Sequence, residues 1–288
     1  LRSVAGDVTG TASLGEDVTD RVASERKIRK LNRVYAVLSG INTLIVRVHE
    51  RDELFAEACR IAVEQGKFAS ALIGLADWTA MKILPLASAG VLPDFVGENM
   101  GSFSLVEDAP NGNTMAARAL RQRRAFINND VHVDSEVLGA KELITHGISS
   151  VAALPILVSD QAVGVLVLYA AELGFFDEEE IRLLTELTGD IGFALDHIGK
   201  AEKLNYLAFY DQITGLPNRA LLADRCTHDL KAARRDAEPL VMMVLGIDDF
   251  KAVNDVLGYA VGDQILQQLA GRVAAALRAR DTVARVGG

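Results

Sequence analysis

The first regular hydrophobic pattern in the chain begins near residue 28. Apolar residues recur there at three- and four-residue spacing: Ile28, Leu31, Tyr35 and Leu38. This spacing is typical of one face of an α-helix, and it predicts a connecting helix over residues 22–48. Asn42 continues the same face as a polar residue, so it either fixes the alignment of a paired helix or lies in solvent at a helix bend.

Helix-like and strand-like runs then alternate as far as residue 170. The segment at about 52–65 has helical spacing, and a second helix over 113–123 begins near the candidate caps Asn113 and Thr114. Strand-like runs lie between and after these helices, at 69–76, 82–90, 125–130, 149–158 and 162–170. Only three residues separate the last two runs, which predicts a hairpin. These elements predict one α/β unit over residues 30–200.

A long helix follows over residues 177–208. Asp177 and Glu180 have the spacing of a capping box, and the two glutamates between them place negative charge at the positive end of the helix dipole. Apolar residues recur along it at helical spacing: Leu184, Leu187, Ile191, Ala194, Ile198 and Ala201. Either this face packs on the sheet of its own domain, or the helix leaves the domain near Gly199, pairs with a second copy and carries torque to residue 205 and beyond.

A constrained turn precedes the last helical region. Gly215 and Pro217 restrict the backbone between Asp211 and Arg219, and Asn218 can cap the helix that follows. These five residues are interpreted as structural, fixing the entry to a further domain.

A candidate site follows this turn. The segment 239–247 is almost wholly apolar, which is typical of a central strand buried on both faces. Charged and amide residues gather directly after it, and in α/β folds the ends of strands are where phosphates and metals are held. The end of this predicted strand is therefore the best candidate for chemistry.

Composition narrows the classes of function. A formal net charge of -9 argues against a nucleic-acid or anionic-membrane surface, because either polyanion would be repelled. Cys59 and Cys226 have no metal-binding spacing and are interpreted as buried free thiols in a reducing cytoplasm. No segment reaches the roughly 18 to 20 apolar residues that span a bilayer. Because the chain starts at Leu1 and stops inside a motif, we expect it to be a fragment of a longer protein.

The region 30–200 resembles a GAF sensor domain. The resemblance rests on ALRQRRAFINND (119–130), HGISSVAALPILV (146–158) and LGFFDEEEIRLLTEL (173–187), and it implies a central antiparallel sheet with a small-molecule pocket. The ligand is undetermined. No cysteine lies between residues 65 and 225, which excludes a thioether-linked bilin. His132 and His146 lack metal spacing, so ordinary hydrogen bonds are expected. Residues 1–21, through VTGTASLGEDVTDR, resemble the end of a PAS domain.

The region 205–288 resembles the first half of a GGDEF domain, the catalytic domain of diguanylate cyclases. The resemblance rests on DQITGLPNR (211–219), LGIDDFKAVNDVLGYAVGDQIL (245–266) and ARVGG (284–288). It implies a ferredoxin-like palm fold, GTP as substrate and Mg²⁺ as cofactor. By resemblance, the carbonyl of Ile247 contributes to the Mg²⁺ site, Lys251 contacts the triphosphate, and Asn254 and Asp263 hydrogen-bond the guanine edge.

Two positions depart from the family. Gly246 stands where the family has an Asp that binds metal, and Tyr259 replaces its usual His. Asp248 lies two residues beyond Gly246, on the same face of a strand, and is the candidate substitute ligand. The acidic turn that would follow Gly288 is also absent from the sequence.

Three hypotheses follow for a bacterial cyclic-di-GMP signalling protein. It is a sensor-controlled diguanylate cyclase, or a degenerate GTP-binding module that regulates a downstream phosphodiesterase domain, or a dimerising sensor in which this region is a spacer. Gly246 favours the second over the first, and Asn254 with Asp263 argues against the third. A homodimer is expected through helices 22–48 and 177–208.

Overall fold

The computed structural model describes residues 19–92, 103–109, 111–133, 137, 139–278 and 280–287. The chain forms two compact units, Leu1–Ile198 and Gly199–Gly288. The PAS-like stretch lies almost wholly outside the described residues, which begin at residue 19. Among the described residues, no helix combines the length and apolar character needed to cross a membrane.

The first unit is built on a six-stranded antiparallel sheet. Its strands are β1 Ser70–Asp77, β2 Lys82–Gly90, β3 Phe103–Ser104, β4 Phe126–Asn128, β5 Ser150–Val158 and β6 Gln161–Ala170, in the spatial order β3-β2-β1-β6-β5-β4. Its helices are α1 Thr19–Ile45, α2 Arg51–Glu64, α3 Met115–Gln122, α4 Ala140–Thr145 and the start of α5 Glu178–Phe209. The predicted hairpin is confirmed as β5 and β6.

The central strands are apolar on both faces because each face carries its own core. Along β5, Ala152 and Leu154 join the cluster formed with α1, α2 and α5, whereas Val151 and Ala153 join the cluster formed with α3 and α4. Alternate side chains of a strand point to opposite faces, so one continuous apolar run supplies two cores.

The start of α5 has the predicted capping box. Asp177 Oδ1 accepts hydrogen bonds from the amides of Glu179 and Glu180, and Glu180 Oε2 accepts one from the amide of Asp177. These bonds satisfy amides that have no partner inside the helix, and they fix its first turn.

The apolar face of α5 packs on its own domain. The side chains from Leu184 to Ile198 that we assigned to this face are buried in the core shared with α1 and α2, while Ala201 is exposed. This outcome matches the first of the two interpretations, so these buried side chains are not free to pair with a second copy. The helix itself continues to Phe209, beyond the boundary of the first unit.

The connecting helix α1 is part of the same core. Val34, Val37 and Ile41 are buried beside α5, and the exposed Asn42 hydrogen-bonds the side chain of Asp190 on α5. Asn42 is therefore exposed, in line with the solvated alternative, and it also has a hydrogen-bond partner within its own chain.

The second unit continues from α5 with three helices, α6 Arg219–Asp236, α7 Phe250–Leu257 and α8 Tyr259–Ala276. The prediction of a buried strand over 239–247 is wrong for this structure. The segment belongs to no strand or helix, and Val241 to Leu245 are 67–86% exposed. The backbone N–H and C=O groups of a strand form hydrogen bonds with an adjacent strand, and no strand runs beside this segment in the described part of the unit.

Candidate functional site

The predicted turn after α5 is a tightly bonded structure. The amide of Asp211 donates to Leu216 O at 2.8 Å, and the amide of Gly215 donates to Asp211 O at 2.9 Å. Gly215 has φ +69°, a conformation that favours glycine. Pro217 forms a bridge with Tyr210, so the chain reverses direction within a few residues.

Asn218 joins the two helices on either side of the turn. Its Oδ1 accepts from the amides of Ala220 and Leu221, which caps α6 as predicted, and its Nδ2 donates to Ala208 O near the end of α5. Arg219 is the exposed first residue of α6. The predicted cap of α6 by Asn218 is confirmed, and the structural role of the whole segment stays a prediction.

Arg285, distant in sequence, bonds to two residues of this turn. Its Nη1 lies 3.0 Å from Oδ1 and 3.2 Å from Oδ2 of Asp211, and its amide donates to Pro217 O at 2.9 Å. The two side chains are only 16% and 22% exposed, so solvent screens this pair less than an ordinary surface pair. Sequence reasoning missed this contact, because 74 residues separate the partners.

The carboxyl of Asp211 is held in its charged form. Burial by itself raises its pKa, but hydrogen bonds from the hydroxyl and amide of Thr214 and the pairing with Arg285 outweigh burial, so the pKa is lowered from its ordinary value. Asp211 therefore accepts several hydrogen bonds as a carboxylate at neutral pH.

The candidate guanine-reading residues converge at the junction of α7 and α8. Gly258, at φ +83°, ends α7 and precedes α8, so the two helices meet at a sharp turn. Asn254 faces Gly262 so closely that a Cβ at residue 262 would overlap Asn254 Oδ1. Asp263 is the next residue and is half-buried. The structure therefore brings Asn254 close to the part of α8 that carries Asp263.

The amide of Asn254 has an unsatisfied oxygen. Its Oδ1 is buried and has no hydrogen-bond partner among the described atoms. A buried amide oxygen without a partner is uncommon in folded proteins and often marks a site that a ligand or water completes. Gly262 is buried and leaves the space that this amide occupies.

The residues assigned to phosphate and metal lie at the start of α7. Lys251 and Asp248 are exposed. Ile247 is 37% exposed, and Asp249, at φ +53°, precedes the helix without capping it. The structure leaves these groups open to solvent.

The oxygen atoms just before α7 are of the kind that Mg²⁺ binds in sites with few protein ligands. Mg²⁺ commonly takes one or two carboxylates and completes its shell with water and substrate phosphates. The Ile247 carbonyl and the Asp248 carboxylate are the oxygen donors that the family resemblance assigns to such a set. No cluster of three or more His, Cys, Asp or Glu side chains forms a metal site in the described ranges. Gly246 has open space, since a Cβ added there meets no described atom within 4 Å.

The two candidate histidines of the first unit have ordinary hydrogen-bond partners. His132 Nε2 lies 3.4 Å from Ser149 Oγ, and His146 Nδ1 lies 2.9 Å from Glu142 O, as expected for loop and helix-end histidines. Both cysteines are free thiols. Burial raises the pKa of Cys59 to about 12, so this thiol stays protonated at neutral pH.

Comparisons with known proteins agree with this division. Residues 48–196 match the family model described as the GAF domain, and residues 208–288 match the one described as the GGDEF domain of diguanylate cyclases. The fold of the first unit is similar to the GAF domain of a phosphoenolpyruvate-protein phosphotransferase from Coxiella burnetii, with a TM-score of 0.50 and 14% identity over 60% of this chain and 98% of that one.

Curated relatives match part of the chain. The bifunctional diguanylate cyclase/cyclic di-GMP phosphodiesterase MucR of Pseudomonas aeruginosa is 44% identical over 86 residues, covering 30% of this chain and 13% of MucR. The diguanylate cyclase TpbB of the same species is 35% identical over 119 residues, covering 38% of this chain and 27% of TpbB. The chain thus spans roughly an eighth to a quarter of these relatives. It belongs to the GAF domain family, and the residues that follow match the GGDEF family model.

Proposed function

We propose that this chain is part of a bacterial cyclic-di-GMP signalling protein in which a GAF sensor controls a GTP-binding GGDEF domain. The observation that carries the proposal is the packing of Asn254 against Gly262, next to Asp263. An amide and a carboxylate there offer the mixed donors and acceptors that a guanine edge needs. The match to the GGDEF family model and the diguanylate cyclases among the relatives support the same substrate.

In the cyclase form of this function, Asn254 and Asp263 hold the guanine and Lys251 faces the triphosphate. The 3′-hydroxyl oxygen of one GTP attacks the α-phosphorus of another, an O–P bond forms as the bond from that phosphorus to pyrophosphate breaks, and the hydroxyl proton passes to solvent. A second such step in the opposite sense closes the ring. Bound Mg²⁺ would neutralise charge on the phosphates, with Ile247 O and Asp248 as its protein ligands. The residues of the chain position two nucleotides, and positioning together with electrostatics supplies most of the catalysis in phosphoryl transfer.

One observation favours a second form of the function. Gly246 offers no carboxylate at the position where the resembling family carries a metal ligand, so the domain can bind GTP without turning it over. Such a domain would regulate a downstream phosphodiesterase domain through its nucleotide occupancy. Guanine recognition does not need the missing ligand, because Asn254 and Asp263 lie on other elements.

A second copy of the chain is the proposed partner, since the reaction joins two GTP molecules held by two domains. The exposed apolar side chains Phe193 and Leu204 of α5, 69% and 68% exposed, support pairing along this helix. A PAS-type input before α1 and a cytoplasmic location belong to the same proposal. The free thiols of Cys59 and Cys226 fit a reducing compartment.

A product assay tests the two forms. The full-length protein is incubated with GTP and Mg²⁺, and nucleotides are separated by chromatography. Cyclic di-GMP that disappears in a Lys251→Ala variant supports the cyclase, with Lys231→Ala on α6 as the control. GTP binding without product supports the regulatory module. Neither binding nor product would contradict both.

A further inference from the structure

The segment between β6 and α5, residues 171–177, is held by the upstream helix α1. We call this segment the junction loop. Lys30 Nζ donates to Phe175 O at 3.0 Å, and Arg33 pairs with Glu172 at 2.9 Å. Both cations also lie over the Phe175 ring, each 5.2 Å from its centroid. Two cations on one aromatic ring, with direct bonds to the loop, fasten α1 to it.

The same loop is held from the sheet. Asn129, which follows β4, donates from Nδ2 to Phe176 O at 2.8 Å and accepts from the Phe176 amide at 2.9 Å. Ser150 Oγ, at the start of β5, donates to Glu172 O at 2.8 Å. Asn129 lies two residues before Val131, which is buried in the core formed with α3 and α4. The loop thus also contacts the strands that border this second core.

The junction loop leads directly into the first turn of α5. Phe175 and Phe176 are buried and pack edge to face at 4.9 Å, with Phe68 beside both. Asp177 and Glu180 then form the capping box that begins the helix. A shift of the loop therefore carries the start of α5 with it.

Two buried polar atoms beside the loop lack partners. Glu180 is fully buried, yet its Oε1 has no hydrogen bond among the described atoms, and the same holds for Arg33 Nε. A buried network that is only partly satisfied is held less firmly in one arrangement than a complete one. Both atoms belong to residues at the ends of the connection between α1 and α5.

From these contacts we infer that the junction loop is a coupling element. A displacement of α1 acts on the loop through Lys30 and Arg33, and a displacement of the sheet acts on it through Asn129. The loop in turn determines the position of the first turn of α5. Input from the upstream helix and input from the GAF core would thus reach the output helix at one place. This inference concerns the first unit alone and does not depend on nucleotide binding by the second.

A double-mutant cycle with hydrogen exchange tests the coupling in the 288-residue chain. Arg33→Met removes a contact of the loop with α1, and Asn129→Ser removes its contact with the sheet. Each single variant should speed exchange of the amides of residues 178–182 on the order of ten-fold, with β5 and β6 unchanged. The unfolding equilibrium constant of the double variant should differ from the product of the single effects by about three-fold or more.

Arg60→Met is the matched control. Arg60 lies on α2 and pairs with Glu57 and Glu64 of its own helix, so its effect should multiply with that of Asn129→Ser. If Arg33→Met does not fold, Arg33→Lys takes its place in the same cycle. The inference would be overturned if the effects of Arg33→Met and Asn129→Ser on the unfolding equilibrium constant simply multiplied. It would also be overturned if faster amide exchange were confined to α1.

Discussion

Arg285 pairs with both carboxylate oxygens of Asp211, at 3.0 and 3.2 Å, and joins the turn after α5 to the residues just before Gly287. The pair is mostly shielded from solvent, and Thr214 donates two further hydrogen bonds to the same Oδ1. The entry to the second unit and its last described segment are therefore fixed to each other by one carboxylate.

Asp211→Asn should destabilise the second unit by about 1 to 3 kcal/mol, because a charged acceptor of several hydrogen bonds is lost. The folded-state pKa of Asp211 is lowered, so its contribution is full above the unfolded pKa of about 3.9 and is lost as pH falls through the folded pKa. Urea unfolding between pH 3 and 7 should show a shallower acid loss in the variant. Asp224→Asn, outside the turn, is the control. Identical acid profiles for wild type and Asp211→Asn would contradict this role.

Glu180→Gln should have the opposite pH dependence. Burial is the largest influence on Glu180 and raises its pKa, although the Asp177 amide and Lys30 act against it. A raised carboxyl pKa means that the folded state is favoured below the unfolded pKa of about 4.3 and loses that advantage as pH rises through the folded pKa. Gln keeps the capping bond without the charge. The variant should therefore gain stability relative to wild type as pH rises.

Thermal unfolding of the first unit from pH 4 to 8 measures this gain. Glu178→Gln, two residues earlier on the exposed side of the same turn, should leave the profile unchanged. A difference between Glu180→Gln and wild type that stays constant with pH would show that the Glu180 carboxyl has an unshifted pKa.

Gly246→Asp tests the missing metal ligand in the full-length protein. The added side chain meets no described atom within 4 Å of its Cβ, so we expect it to be accepted without loss of stability. It should raise the rate of cyclic di-GMP formation, or lower the Mg²⁺ concentration needed for it, because a second carboxylate strengthens the site. Gly271→Asp, at an equally open position on α8, is the control. An unchanged rate together with loss of activity in Asp248→Ala would instead identify Asp248 as the working ligand.

The sequence predicted the elements that have a long periodic pattern or a clear turn or capping residue at their ends. The β5 and β6 hairpin, the cap of α6 by Asn218 and the box of Asp177 with Glu180 follow from short-range signals that the structure repeats. The two-residue β3 and the six-residue α4 were not predicted, because each is too short to display a period.

Partners distant in sequence could not be predicted. Periodicity identified the apolar face of α5 but not which surface covers it, and it identified 239–247 as strand-like without supplying a neighbouring strand. The Arg285 to Asp211 pair and the contact of Lys30 with Phe175 join residues 74 and 145 apart, and no local pattern marks them. The candidate nucleotide residues came from a family resemblance, and their spatial relation came only from the fold.

Calorimetric titration of the full-length protein with GTP and with ATP tests the central claim most directly. GTP should bind more tightly, and Asp263→Ala should lose most of that preference, by about 1 to 3 kcal/mol or roughly 5- to 150-fold in Kd. Asp255→Ala, an exposed neighbour of Asn254, should keep it. Equal affinity of the wild type for GTP and ATP would contradict both nucleotide-binding functions.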